Sequence, residues 1–203
     1  MDHPIFTESI QRIQALLGPT GLPLLEQEVL ERLIHSSGDP ALAPLLRFTP
    51  GACSAAAHDL TQGGVILTDT AMAAAAVAPM AQRTLGSPVR TVLEWAPERA
   101  PQGSTRTAVG LERAWCDLSR AAPAPVVLIG SAPTALERLL ELVGCGGVAP
   151  SLVIGMPVGF VGVADSKQRL AASGLAQIRL DGSRGGAGLV GAAVNALLRA
   201  AAG

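Results

Sequence analysis

Apolar positions along the chain recur with two different spacings, and the change from one to the other marks a change of architecture. Residues 5–17 place Ile10, Ile13, Leu16 and Leu17 on one helical face, ending at Gly18-Pro19. Thr20 can cap a second helix over about 22–36, with Leu25, Val29, Leu33 and Ile34 inward. Asp39-Pro40 opens a short helical stretch, and 53–61 reads as another. From residue 65 onward short aliphatic runs alternate with helical segments. Strands are expected at 65–68, 89–95, 123–130, 151–154 and 176–180. Helices are expected at 71–78, 105–120, 133–143 and 189–201, the third capped by Ser131 with Pro133 in its first turn. Short buried strands alternating with helices predict a three-layer α/β/α sandwich on a mostly parallel five-stranded sheet, one domain over residues 1–203.

Right-handed crossovers gather the loops after the strands along one edge of such a sheet. That edge would carry Asp69, Ser131, the loop 155–167, the run Ser183-Arg184-Gly185-Gly186, and Arg106 at the start of a helix. In the loop 155–167, Gly155, Gly159 and Gly162 let backbone N–H groups approach a carboxylate or phosphate, while Asp165, Ser166 and Lys167 close it with polar groups. The same pattern also describes a tight strand-to-helix connection without a ligand.

Composition narrows the picture. Of 203 residues, 49% are apolar but only 2% aromatic, with no Tyr, so the core must be aliphatic and Ala-rich. A net charge of −1 leaves no basic face for nucleic acid. The longest apolar stretch, AMAAAAVAPMA from residue 71, is too short for a membrane span, and MDHPIFTES lacks the basic region of a signal peptide. Cys53, Cys116 and Cys145 are scattered, which fits reduced thiols in a cytoplasmic protein rather than metal ligation.

Several motifs fail on context. Gly186-Ala187-Gly188-Leu189-Val190-Gly191 spells G-x-G-x-x-G, yet too few residues follow for the second strand and acidic ribose partner of a dinucleotide site. No Gly-Lys-Ser/Thr ending marks a P-loop, no G-x-S-x-G marks a hydrolase nucleophile, and His3, His35 and His58 lack zinc spacing. Thr7, Ser9 and Arg12 share the polar side of the first helix, where solvated side chains are the ordinary case. His35 stands at the end of the second helix; a lone histidine there is more often a surface residue than a catalyst, but it is the one plausible acid/base. With Arg106 and Arg184 as cations, this set suits a large multi-carboxylate substrate whose reaction needs a proton and a rigid mould.

Six blocks, in order and spacing, resemble the precorrin-8X methylmutase family. They are Ile34-His35-Ser36-Ser37-Gly38-Asp39, Ile66-Leu67-Thr68-Asp69-Thr70-Ala71-Met72, Gly103-Ser104-Thr105-Arg106-Thr107-Ala108 and Ile129-Gly130-Ser131-Ala132-Pro133-Thr134-Ala135-Leu136. The others are Gly155-Met156-Pro157-Val158-Gly159-Phe160-Val161-Gly162 through Ser166-Lys167, and Arg184-Gly185-Gly186 through Asn195-Ala196-Leu197. The resemblance implies a cofactor-free, metal-free migration of a ring methyl from C11 to C12 of precorrin-8X, or cobalt-precorrin-8, giving hydrogenobyrinate or cobyrinate. It further implies His35 as the acid that protonates the ring C nitrogen, with Arg106 and Ser9 contacting substrate. It implies, finally, a homodimer with its active sites near the subunit interface. The chain departs from the family pattern at Ser131, where the family has Asn, at Ala73 and Ala76, and at Ser36-Ser37. These departures bear on substrate fit, and they leave a corrinoid carrier without turnover as the alternative.

Overall fold

Eight α-helices and six strands alternate along residues 3–203, the part of the chain that the computed structural model describes. They are α1 Pro4–Leu17, α2 Leu24–Ser37, β1 Leu46–Phe48, α3 Ala52–Thr61, β2 Ile66–Thr68, α4 Ala71–Arg83 and β3 Val89–Thr91, followed by α5 Arg106–Leu118, β4 Val126–Ile129, α6 Pro133–Gly144, β5 Leu152–Gly155, α7 Val163–Ala172, β6 Gln177–Leu180 and α8 Ala187–Ala202. The sheet order is β1-β6-β5-β4-β2-β3, parallel throughout except for β1.

The middle strands read as unbroken apolar runs because both their faces are covered. Every residue of β2, β4 and β5 is buried. Ile66, Leu128 and Ile154 face a core shared with α2, α3, α4 and α8, whereas Leu67, Val127 and Val153 face α5, α6 and α7. On the outside of the first layer α1 packs against α2, contributing Ile10, Ile13 and Leu17 to that core.

Four features depart from the expected pattern. The sheet has six strands rather than five, because Leu46–Phe48 pairs antiparallel with β6 in the register Leu46↔Leu180, Arg47↔Arg179, Phe48↔Ile178. Three residues with Arg47 in the middle show no strand periodicity, and this edge is set by its partner. The strand expected at 89–95 stops at Thr91, where Thr91 and Glu94 form a capping box that turns Val92–Glu94 into a 3-10 helix. Residues 163–167, expected as loop, open helix α7, with Gly162 at φ 69° supplying the turn into it. Helix α4 runs through Pro79 to Arg83 instead of stopping at 78; in the turn interrupted by that proline, Asn195 Nδ2 of α8 donates to the Ala76 carbonyl at 3.0 Å.

In the literal glycine motif at 186–191, the last glycine is spent on packing. A Cβ at Gly191 would come within 2.9 Å of the Ala76 Cβ, so the third glycine lets α8 cross α4 closely.

Candidate functional site

Strand β2 lies between β3 and β4, with crossover helices α4 and α6 on opposite faces, so the loops after β2 and β4 diverge around a crevice. Asp69 stands at that point and is fully buried. Its Oδ2 accepts the N–H groups of Gly130 at 3.0 Å, Ser131 at 2.6 Å and Ala132 at 2.8 Å. Helix α6 has no capping side chain of its own, and Asp69 supplies one from a neighbouring strand. Burial pushes the Asp69 carboxyl above the ordinary carboxylate range, against the pull of those three N–H donors. The structure thus joins Asp69 to Ser131 through the backbone, with the Ser131 side chain half-buried at the rim.

The loop after β5 turns its donors toward neighbouring loops. Met156 N–H bonds Ile129 O, Val158 N–H bonds Gly130 O, and Gly159 N–H bonds Ser183 O. Gly155 is buried, and a Cβ there would approach Leu170 Cδ2 of α7 to 2.3 Å, so its smallness admits the helix. Gly185 is tighter still: a Cβ would meet the Met156 carbonyl oxygen at 1.9 Å. Lys167 is 2% exposed, and its ammonium donates to the carbonyls of Gly182 at 2.8 Å and Arg184 at 2.6 Å. Desolvation lowers it to about 8, with Asp181 pulling the other way. Lys167 therefore clamps the loop after β6 from inside. At the tip, Phe160 and Val161 are 97% and 88% exposed, forming an apolar pair on the same rim as the 66%-exposed Met72.

His35 is reached from the other direction. Helix α2 ends at Gly38, whose φ of 68° is the left-handed cap conformation and whose N–H returns to Ile34 O at 2.7 Å. Asp39 then caps a 3-10 helix over Pro40–Leu45 that feeds β1, and its carboxylate lies 3.2 Å from the Arg184 guanidinium. One turn earlier, His35 is exposed, and its Nδ1 lies 2.7 Å from Ser9 Oγ of α1. The Phe6 ring meets the imidazole edge-to-face at 4.9 Å. Arg32 and Arg199 lie over that phenyl ring at 5.4 and 5.0 Å. Beside this corner a groove of about 1160 Å³ runs between α1, α2, α4 and α8, with Phe6, Glu28, Arg32, Arg83 and Arg199 in its walls.

Arg106 opens α5 and is exposed, its Nε donating to the Pro97 carbonyl at 2.9 Å. The structure accordingly brings Ser9 to His35, Asp69 to Ser131, and Lys167 to Arg184, and ties Arg184 to the end of α2 through Asp39. It does not bring Arg106 to His35: α5 packs on one face of the sheet and α2 on the other, and Arg106 bonds Pro97 while His35 meets Ser9 and Phe6. Sequence reasoning missed Phe6, although its spacing of three from Ser9 on a helix was a usable signal. Among the described residues no group of three or more His, Cys, Asp and Glu is placed to hold a metal ion, and no helix is long and apolar enough to cross a membrane.

A family model described as Precorrin-8X methylmutase matches residues 4–200. A precorrin-8X methylmutase of Pseudomonas aeruginosa is 39% identical over 197 residues, covering 95% of this chain and 93% of that protein. A cobalt-precorrin-8 methylmutase of Synechocystis is 34% identical over 212 residues, covering 98% and 95%. A crystal structure of precorrin-8X methyl mutase from Thermus thermophilus superposes with a TM-score of 0.86 at 35% identity, covering 98% of this chain and 95% of that one.

Proposed function

The chain belongs to the precorrin-8X methylmutase family, and on that premise we propose that it moves a ring methyl group from C11 to C12 of precorrin-8X, or of cobalt-precorrin-8, with His35 as the proton donor. The single observation that carries the assignment of His35 is its hydrogen bond to Ser9 at 2.7 Å. With Nδ1 engaged by the hydroxyl, Nε2 is the nitrogen left to face a substrate. An Nε2–H donates to the ring C nitrogen and leaves a neutral imidazole whose remaining proton sits on Nδ1, with Ser9 Oγ as its acceptor. The protonated macrocycle is electron-poor. The C11–methyl bond then breaks as the C12–methyl bond forms, the proton returns, and no atom is gained or lost. Ser9 acts in this scheme through His35, and Arg106 and Arg184 offer guanidinium groups to the carboxylates of the macrocycle.

The separation of His35 from Arg106 supports a site completed by a second copy. In a homodimer, the His35 corner of one copy faces the Arg106 end of the other. Helix α4 offers a surface for such pairing, with Met72, Ala75, Ala76 and Pro79 exposed on one side of it. Cys53, Cys116 and Cys145 are all unpaired, in keeping with a cytoplasmic setting.

The test is the change in absorbance when precorrin-8X is converted. His35→Ala should abolish the change while the protein still perturbs the spectrum of the bound substrate; turnover at the normal rate would end the assignment. A carrier without turnover, the reading motivated by Ser131 and Ala76, would perturb the spectrum in the unaltered protein and convert nothing. Running metal-free and cobalt-loaded substrates side by side decides which is preferred. Mixing inactive His35→Ala with inactive Arg106→Ala tests the shared site. Random pairing would restore about a quarter of the activity if each site draws on both copies, and none if both residues serve from one copy.

A further inference from the structure

Resting on His35 as the proton donor, we propose that Phe6 is a positioning residue that fixes the imidazole for transfer. His35 occupies the last turn of α2 and is exposed, so its surroundings do not by themselves hold the ring in one rotamer. The hydrogen bond to Ser9 fixes Nδ1 at 2.7 Å, but a single bond leaves the ring free to swing about that contact. Phe6 lies one turn before Ser9 on α1 and closes the second side, with ring centroids 4.9 Å apart and planes at 77°. The phenyl ring is itself held. Arg32 of α2 lies over it at 5.4 Å and Arg199 of α8 at 5.0 Å, so three helices meet on this one side chain.

Packing alone does not account for an aromatic residue here. Helix α1 enters the core through the aliphatic Ile10, Ile13 and Leu17. The whole chain has three Phe and no Tyr, and one of the three stands against His35. Two contacts from one helix, a hydroxyl on Nδ1 and a phenyl on the ring, define both the position and the tilt of Nε2. Proton transfer to a rigid macrocycle depends on that direction, since a misplaced donor forfeits rate without weakening binding.

The experiment compares Phe6→Leu, which keeps apolar volume, with Phe6→Tyr, which keeps the ring. Phe6→Leu should lower kcat about tenfold and leave KM within about twofold, while Phe6→Tyr retains most of the activity. In the His35→Ala background Phe6→Leu should change nothing further in activity. Nuclear Overhauser contacts between the phenyl and imidazole protons should be seen in the unaltered protein. Wild-type kcat in Phe6→Leu overturns the proposal, as does equal loss in both variants with an equal fall in Tm, which would make the ring mere packing. Should Phe6→Leu not fold, Phe6→Met and the nuclear Overhauser measurement on the unaltered protein decide, and missing cross-peaks overturn it. If His35→Ala keeps turnover, the parent reading fails; if only Phe6→Leu does, the positioning role alone fails.

Discussion

Two regions of the rim handle polar groups in opposite ways. At the centre, Asp69 and Lys167 are buried and held by backbone: Oδ2 of the carboxylate takes three N–H groups while its Oδ1 is buried without a partner, and the ammonium gives to two carbonyls. At the α1–α2 corner, His35 is exposed, and its hydrogen bond and ring contact go to side chains, Ser9 and Phe6. The centre joins the loops after β2, β4, β5 and β6 into one body, since Met156 also receives Gly186 N–H at 2.9 Å. What distinguishes the two is whether a charge serves the fold or remains available to a substrate. A group held chiefly by backbone serves the fold first; the proton donor is held at Nδ1 and against its ring, with Nε2 left for the substrate.

The sharpest break of this contrast pairs His35→Ala with Asp69→Ala. The first should cost about 10²- to 10⁴-fold in turnover, the range of a general acid, and change stability by less than about 0.5 kcal/mol. Asp69→Ala should do the reverse in kind, leaving three N–H groups without their acceptor and costing about 3–5 kcal/mol. Thermal melts read this as a fall in Tm of roughly 10 °C. Asp69→Asn keeps one acceptor oxygen and should recover part of the loss. A catalytically dead but fully stable Asp69→Ala would move Asp69 from frame to chemistry and collapse the distinction.

How far each region could be read from the sequence follows from the same contrast. Strands β2, β4 and β5 were legible because burial on both faces demands continuous aliphatic residues, as in Val126–Ile129. Helix α7 was not, because its inward residues are Val163, Ser166, Lys167 and Leu170. They keep helical spacing, but two of the four are polar, so no apolar stripe shows. Strand β1 escaped for a different reason: its partner β6 lies more than a hundred residues away, and three residues carry no period. Asp69 was recognisable as a rim residue, but its role as the cap of α6 depends on donors about sixty residues on. His35 was found through its block of neighbours in sequence. Its contacts with Ser9 and Phe6 are tertiary, made by α1 folding back along α2, and helical spacing on α1 could only say that those two share a face.

Glycines sharpen the comparison at smaller magnitude. At the centre Gly185 is required by contact, with the Met156 carbonyl oxygen 1.9 Å from where a Cβ would stand. Backbone cannot give way as a side chain can, so Gly185→Ala should cost about 3 kcal/mol or unseat the loop after β6. At the corner Gly38 is required by conformation alone, with φ 68° and nothing within 4 Å of a Cβ. Gly38→Ala should therefore cost only about 1 kcal/mol, measured by urea unfolding, and shift His35 little.

A change of slope with pH concerns Lys167 and has a definite sign. Its folded value of about 8 lies below the ordinary 10.5, so the unfolded chain holds this proton through a range in which the folded chain has lost it. Stability from this group should therefore rise as pH climbs from about 8 to 10.5, by at most about 3 kcal/mol and by less where the loop relaxes. Lys167→Met removes the titration, and subtracting its pH profile from that of the unaltered protein isolates the contribution from other groups. A difference profile that fell with rising pH would mean that the ammonium is stabilised by its two carbonyls more than burial disfavours it. The clamp would then be an asset of the fold at every pH below 10, and the centre of the rim would owe its cohesion to a retained charge rather than to one held at a cost.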